Sequence, residues 1–308
     1  MPKNVLITGA SGLIGSRLTE MLRVQGHAVA HLSRSKKGTQ VPVFTWDVAR
    51  KEIESGALEN TDTIIHLAGA GIGDQPWTER RKKEILESRT LSTRLLYETL
   101  ARGQHNVTTV VSASAVGYYG SAGNEKVFTE DAGPGNGFLA DVVTQWEAEA
   151  DRIKTLNIRV VKIRTGIVLS EAGGVLKAIM KPVRFYLGAP LGSGNQYLSW
   201  IHLDDLCRMY IFAVENASLQ GACNATAPGP VTNRELTATI AQAMHKPMIF
   251  PAVPSFLLKL FLGEMADLVL YGSQVSPQKI LDAGFRFRYT DITVAVEELV
   301  NQSPAKRH

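Results

Sequence analysis

Cysteine is nearly absent from this chain of 308 residues, with Cys207 and Cys223 the only two. Both sit in apolar surroundings, with no metal-ligand spacing and no histidine cluster nearby, so they read as buried free thiols and no metal is expected. Long apolar runs are missing too. The greasiest stretch, Phe256 to Leu262, is interrupted by Lys259 and is far too short to span a bilayer. No charged segment with an apolar run precedes the first strand, so a secretory signal is not expected and the cytoplasm is the expected location. Blocks of one charge are also scarce. The 33 basic and 29 acidic residues are interspersed around a net charge of +4. The one basic block, Arg80-Arg81-Lys82-Lys83, falls in a predicted helix and reads as a solvated face. Neither nucleic acid nor membrane is expected as a partner. There is no internal repeat and no low-complexity segment.

What is present begins at the N-terminus. Val5-Leu6-Ile7-Thr8 is a short apolar run, and Gly9, Gly12 and Gly15 follow it in a GxxGxxG spacing. Ile14, Leu18, Met21 and Leu22 then share one helical face, so the stretch reads as strand, turn, helix. Gly9 permits the turn, Gly12 lets the backbone approach a pyrophosphate, and Gly15 lets the helix pack closely. Free N–H groups in the first helical turn attract phosphate charge. The loop from Gly9 through Ser11, Gly12, Leu13 and Ile14 is therefore the expected seat of a dinucleotide.

Ala28 to Leu32 reads as the second strand, and the residues at its end bear on which dinucleotide. A site for NAD(H) wants an acidic residue there to hold the ribose hydroxyl, whereas this chain offers Ser33-Arg34-Ser35-Lys36-Lys37. A 2′-phosphate would pair with Arg34, so NADP(H) is favoured, the alternative being that Arg34 is a plain surface residue. Val43 to Asp47 is a third strand, placing Asp47 and Val48 where they can edge an adenine. Thr63 to Ala70 is a fourth, whose small tip residues Leu67, Ala68 and Gly69 let a cofactor cross it. His66 reads as a packed strand histidine. A long helix over 78–101, a strand from Val107 ending in Ser112-Ala113-Ser114, a helix over 138–154 and a strand over 160–168 follow. Asp204 is expected to cap a helix through Val214, and residues 222–225 add a last strand. Strands alternating with helices predict an α/β fold, a doubly wound parallel Rossmann-type sheet, with a smaller, mainly helical C-terminal lobe. The expected units are a dinucleotide-binding domain over 1–228, with 169–202 on the substrate side, a lobe over 229–300 covering the site, and a frayed tail over 301–308.

Gly9/Gly12/Gly15, Leu67-Ala68-Gly69, Ser112-Ala113-Ser114-Ala115-Val116 and Trp200-Ile201-His202-Leu203-Asp204-Asp205 together resemble the extended short-chain dehydrogenase/reductases. Ser88-Arg89-Thr90, Trp146-Glu147-Ala148, Pro190 to Gly194 and Gly284-Phe285-Arg286-Phe287 look like the atypical subgroup called epimerase family protein, whose C-terminal lobe is a domain of unknown function. The resemblance implies cofactor contacts from the glycine loop, Ser33, Arg34, Leu67, Ala68, Glu84 and Arg89, and from Ile167 or Val168. It also implies pairing of the two long helices in a homodimer. The departure is chemical. Ordinary members use a Tyr-x-x-x-Lys pair with a Ser or Thr, yet none of the eight tyrosines here has lysine four residues later. Val142 and Trp146 occupy one plausible register of that pair. Ser114 remains as a catalytic candidate or a turn cap, and Tyr118 or Tyr119 as proton donor or packing residue. Arg164 and His202 are further polar candidates, each as easily structural. Two readings stand: an NADP(H)-dependent, nucleotide-sugar-epimerase-like oxidoreductase of unknown substrate with a relocated proton relay, or an NADP(H)-binding protein without chemistry.

Overall fold

The computed structural model describes residues 1–36, 40–103, 105–121 and 126–302. Lys37 of the basic run after the second strand, and residues 303–308 of the tail, lie outside the described residues. The apolar run forms β1 (Asn4–Thr8), buried from Val5 onward. Gly9, at φ +68°, turns the chain into α1 (Leu13–Val24), which buries Gly15, Leu18 and Leu22. β2 (Ala28–Ser33) and β3 (Val43–Asp47) build one side of the sheet, with β4 (Glu52–Ile53) antiparallel at its edge. β5 (Thr63–His66), α2 (Glu79–Leu100) and β6 (Thr109–Ala115) build the other. Next come β7 (Val127–Phe128), α3 (Phe138–Arg152), β8 (Arg159–Thr165), β9 (Ile167–Ser170) and α4 (Gly174–Arg184). β10 (Tyr197–Leu198), β11 (Trp200–His202), α5 (Leu203–Glu215) and β12 (Gly221–Ala225) complete the frame.

The main sheet has the order β12-β8-β6-β5-β1-β2-β3-β4, parallel throughout except for β4. From β1 the chain crosses to β2 on one side, and later to β5 on the other. The reversal leaves a crevice between the carboxyl ends of β1 and β5, where open sheets of this kind take their ligands. Core residues on one face of the sheet include Ile7, Val111 and Ile163 against Leu18 and Met209. Those on the other include Leu6, Ile64 and Val110 against Leu95 and Leu96. Both faces are thus covered, as a parallel sheet requires.

Three boundaries differ from the sequence reading. The strand expected over 63–70 ends at His66, and Leu67 to Ala70 leave it as a loop whose first two N–H groups turn onto the Thr8 hydroxyl. The strand expected over 160–168 breaks at Gly166, because β8 stays in the main sheet while β9 leaves it to pair in parallel with β11. A Cβ on Gly166 would lie 2.2 Å from the Ser199 carbonyl oxygen, so only glycine lets the chain switch sheets there. The cap of α5 is His202 and not Asp204: the His202 Nδ1 accepts from the Asp204 N–H at 3.0 Å. Asp204 instead holds Arg17 of α1 through two hydrogen bonds of 2.8 and 2.9 Å.

The C-terminal part contains β13 (Val231–Thr232), α6 (Asn233–Ala243), α7 (Ser255–Leu262), α8 (Asp267–Leu270), β14 (Gln274–Val275), α9 (Gln278–Asp282) and α10 (Ile292–Gln302). It is stitched to the sheet. β14 pairs with β7 and β13 with β10. The fully buried Asp205 accepts the N–H groups of Arg288 and Tyr289 at 2.8 to 3.0 Å. Cys207 and Cys223 are both buried and free, and burial pushes the Cys223 thiol up to about 12.

Candidate functional site

A groove of about 1130 Å³ opens over the crevice between β1 and β5. Gly9, Ser11, Gly12, Ser33, Arg34, Leu67, Ala68, Gly69 and Glu84 all line it. The glycine loop is shaped partly by the fold itself. A Cβ on Gly9 would come within 2.9 Å of the Leu67 backbone, and one on Gly15 within 2.6 Å of Ala10. Gly12 caps α1 with no side-chain hydrogen bond, and the first turn carries no acidic residue. The N–H groups there are left for a ligand, at the positive end of the helix.

Beneath the tip of β5 lies a chain of hydrogen bonds. The Thr8 hydroxyl accepts from the N–H groups of Leu67 and Ala68 at 3.1 and 3.2 Å, so its proton is free to go to His66 Nδ1 at 2.7 Å. That leaves Nε2 of the neutral ring as the donor to Thr93 at 3.0 Å, and Thr93 donates in turn to the Arg89 carbonyl. Burial lowers His66 to about 3. This histidine is a strut that fixes the floor of the groove, and it has no free nitrogen for chemistry.

The outer end of the groove is walled by Trp46 and Val48, with the exposed Arg34 at its rim. Asp47 does not join them. One of its oxygens accepts the N–H groups of Ala49 and Arg50, closing the turn after β3, and it is not part of the lining. Ile167 and Val168 also lie outside the lining, because β9 has left the sheet by that point. Leu13 instead lines a smaller cavity of about 570 Å³ shared with Arg17, His202 and Asp204, while Ile14 packs into the core.

Arg89 stands behind the β5 tip and not on the lining: a Cβ on Gly69 would meet its guanidinium carbon at 3.2 Å. It stacks over Trp146 at 5.3 Å and donates to the Ile85 carbonyl, with no carboxylate ion pair among the described residues. Burial, with the like charge of Arg81, lowers it to about 10.

Arg81 corrects the reading of the basic block as a solvated face. Only 7% exposed, it lines the groove, donates to the Gly71 carbonyl at 2.6 Å and pairs with Glu84 at 2.8 Å. Its Nε is buried without a partner among the described residues. The signal was there in the helical period, since Arg81 precedes the buried Ile85, Ser92 and Leu96 on one stripe. Lys82, next to it, pairs with Glu264 and Glu79.

The catalytic candidates fall in a buried polar cluster. Ser114 Oγ donates to Glu147 Oε1 at 2.6 Å. Arg164 grips the same carboxylate with two bonds of 2.8 and 2.9 Å, and Lys162 lies 3.0 Å away. Burial pushes the Glu147 carboxyl up, but the hydrogen bonds and charges of Arg164 and Lys162, with Ser114, outweigh it and leave it below the usual range. Tyr119 is 1% exposed. Its hydroxyl donates to Asn224 at 2.7 Å and accepts from Arg164 at 2.9 Å, which removes it as a proton donor to any ligand. Tyr118 is different. Its ring stacks on the Arg164 guanidinium at 3.5 Å, and its hydroxyl makes no hydrogen bond among the described residues. Val142 and Trp146 are buried, and neither can carry a proton.

A doubly wound sheet with a glycine-lined groove at its switch point defines a dinucleotide-binding protein. The sequence matches the NAD dependent epimerase/dehydratase family over residues 5–225, and a domain of unknown function, DUF1731, over 253–299. The chain belongs to that epimerase/dehydratase family. It is 39% identical over 303 residues to the epimerase family protein YfhF of Bacillus subtilis, covering 96% of this chain and 98% of that one. The human epimerase family protein SDR39U1, solved with NADPH, superposes with a TM-score of 0.86 at 31% identity, over 97% of this chain and 99% of that one. A nucleoside-diphosphate sugar epimerase from Corynebacterium glutamicum gives 0.80 at 32% identity, over 98% of this chain and 59% of that longer one.

Proposed function

We propose that the groove binds NADP(H) in preference to NAD(H), and that the chain is an epimerase-like oxidoreductase. Its substrate would be a small molecule bearing a hydroxyl or carbonyl, with nucleotide sugars the class that the Corynebacterium relative's name brings. The observation that carries the cofactor reading is Arg34 on the groove rim, where β2 ends without a carboxylate. The NADPH in the human relative supports it. The residues fit such a group: Gly12 leaves open the space its Cβ would fill, the first turn of α1 offers N–H groups, and Trp46 and Val48 give an apolar wall. When bound, the nicotinamide would supply a hydride donor or acceptor.

The chain's own residues then have distinct tasks. The N-terminus of α1 neutralises pyrophosphate charge. Glu84 accepts from a ribose hydroxyl, and Arg81 fixes Glu84 in place. Arg89 keeps a positive charge behind the β5 tip, on the neighbouring helix to the one where a catalytic lysine is missing. Tyr118 is the group left to give or take a proton. Titration of both cofactors tests the reading. A charge-assisted contact is worth about 1.5–3 kcal/mol, so a preference of roughly ten- to a hundredfold for NADPH is expected, and Arg34→Ala should erase it. Equal affinities in the unmodified chain would refute the assignment.

A second reading, NADP(H) binding without chemistry, is favoured by one observation: the Ser114 and Tyr119 hydroxyls are already spent inside the protein. A panel of nucleotide sugars and simple carbonyls separates the two. On the first reading Tyr118→Phe cuts turnover by about 10²- to 10⁴-fold with NADPH binding unchanged. On the second no substrate turns over while NADPH still binds.

A further inference from the structure

The C-terminal part carries a face that the groove does not use. α7 buries none of its residues, and Phe256, Leu260 and Phe261 are 67%, 73% and 81% exposed. Phe185, Tyr186 and Leu187, just after α4, are exposed as well, as are Ile249 and Phe250. These segments are held together. Lys246 Nζ donates to the Tyr186 hydroxyl at 2.9 Å, and Leu191 bridges to Val253, two residues before α7 begins at Ser255. Apolar side chains scattered singly over a surface are ordinary, but this many large ones on segments tied to one another mark an interaction site.

The two chain stretches that carry the face hold charge of one sign. No aspartate or glutamate occurs from residue 172 to 203, nor from 236 to 263. Over the same stretches stand Lys177, Lys181, Arg184, Lys246 and Lys259, and the next acid, Glu264, is engaged with Lys82. Lys259 lies on the same side of α7 as Phe256, three residues on, so its stem can follow the apolar surface while its amine stays in water.

We propose that this face docks on the surface of an anionic lipid bilayer. A second copy of the chain fits less well, because a two-fold contact would press the same cations together with no carboxylate in either stretch to pair them. Anionic headgroups answer the lysines and arginine, and the boundary of the acyl chains takes the phenylalanines and leucine. With eight residues α7 lies in the interface and does not cross it. This runs against the expectation of no membrane partner: the shortness of the apolar runs excludes spanning, not binding at the surface.

Co-sedimentation of the full chain with vesicles tests this. Binding to phosphatidylcholine vesicles containing phosphatidylglycerol should exceed binding to phosphatidylcholine alone by at least about tenfold, and should weaken as salt rises. The triple change Phe256→Ser, Leu260→Ser and Phe261→Ser should abolish it. Lys177→Glu with Lys181→Glu and Arg184→Glu should lower affinity for the mixed vesicles by roughly a hundredfold or more. Circular dichroism checks that both variants stay folded, which their exposure favours. No binding to the mixed vesicles, or full binding by the serine variant, would overturn the proposal. So would a dimer that the serine variant dissociates in a chain that leaves vesicles untouched, which would give the face to a second copy.

Discussion

A Cβ on Gly9 or Gly15 would run into backbone at 2.9 and 2.6 Å, whereas one on Gly12 would meet only the Gly9 carbonyl oxygen, at 3.3 Å. Gly9 and Gly15 therefore serve the fold, and Gly12 serves the groove. Gly12→Val should keep the far-UV dichroism and abolish NADPH binding, while Gly15→Val should lower the melting temperature before binding is even tested. Unchanged NADPH binding in Gly12→Val would mean that the loop is only a turn. A second residue-scale outcome concerns acid. His66 is held neutral, with its folded value at about 3 against 6.5 in the open chain. Between those values the unfolded state takes up a proton that the folded state refuses, so stability falls as pH falls through that window, by up to about 1.4 kcal/mol per pH unit. Glu147 acts in the same direction over a lower range. Its depressed value gives stability that is fully present above 4.5 and is lost as pH falls through the folded value. Urea denaturation at a series of pH values should show the decline beginning near 6.5 and steepening below 4.5, and His66→Gln should flatten the upper part. A stability constant from neutral pH down to 4.5 would contradict the assignment of His66 as a neutral strut.

At the scale of elements, local pattern and observed structure agree where a stripe is clear. The 28–32 strand, the 43–47 strand and the 138–154 helix all appear, within a residue or two of their expected ends. Among the misplaced boundaries, the one inside the strand over 160–168 has its cause in contact with a distant segment. Val160 to Val168 is apolar and β-branched throughout most of its length, which gives no reason to stop at residue 165. The stop comes from Ser199, whose carbonyl lies over Gly166 and accepts the Ile167 N–H at 2.8 Å. Gly166→Ala should therefore destabilise the chain by about 1–3 kcal/mol, as other overpacked positions do. Thermal melting measures it, and a change within a few tenths of a kcal/mol would show that the segment shifts freely.

Across the whole molecule, α2 and α3 pack on each other through the Arg94–Glu149 pair and the stack of Arg89 on Trp146. Their outward surface offers the half-exposed Leu91 among charged residues such as Arg80, Lys83 and Arg152. A homodimer built on it would be weak, since stable interfaces have apolar centres. Sedimentation equilibrium over the micromolar range measures it, and a strict monomer would discard the pairing. The doubly wound class was legible from the sequence because strand, turn and helix signals are local, as is the placing of Gly9, Gly12, Ser33, Arg34 and the β5 tip at the crevice. Which hydroxyls stay free was not local. Ser114 and Tyr119 are committed by Glu147, Arg164 and Asn224, and Asn224 arrives from the far edge of the sheet. The sequence by itself determined the strand-turn-helix that can seat a dinucleotide, since turn geometry and phosphate attraction depend on adjacent residues. Only the tertiary structure decided which hydroxyls are left free, because a buried hydroxyl bonds to what the fold brings within 3 Å, and those partners lie up to 105 residues away.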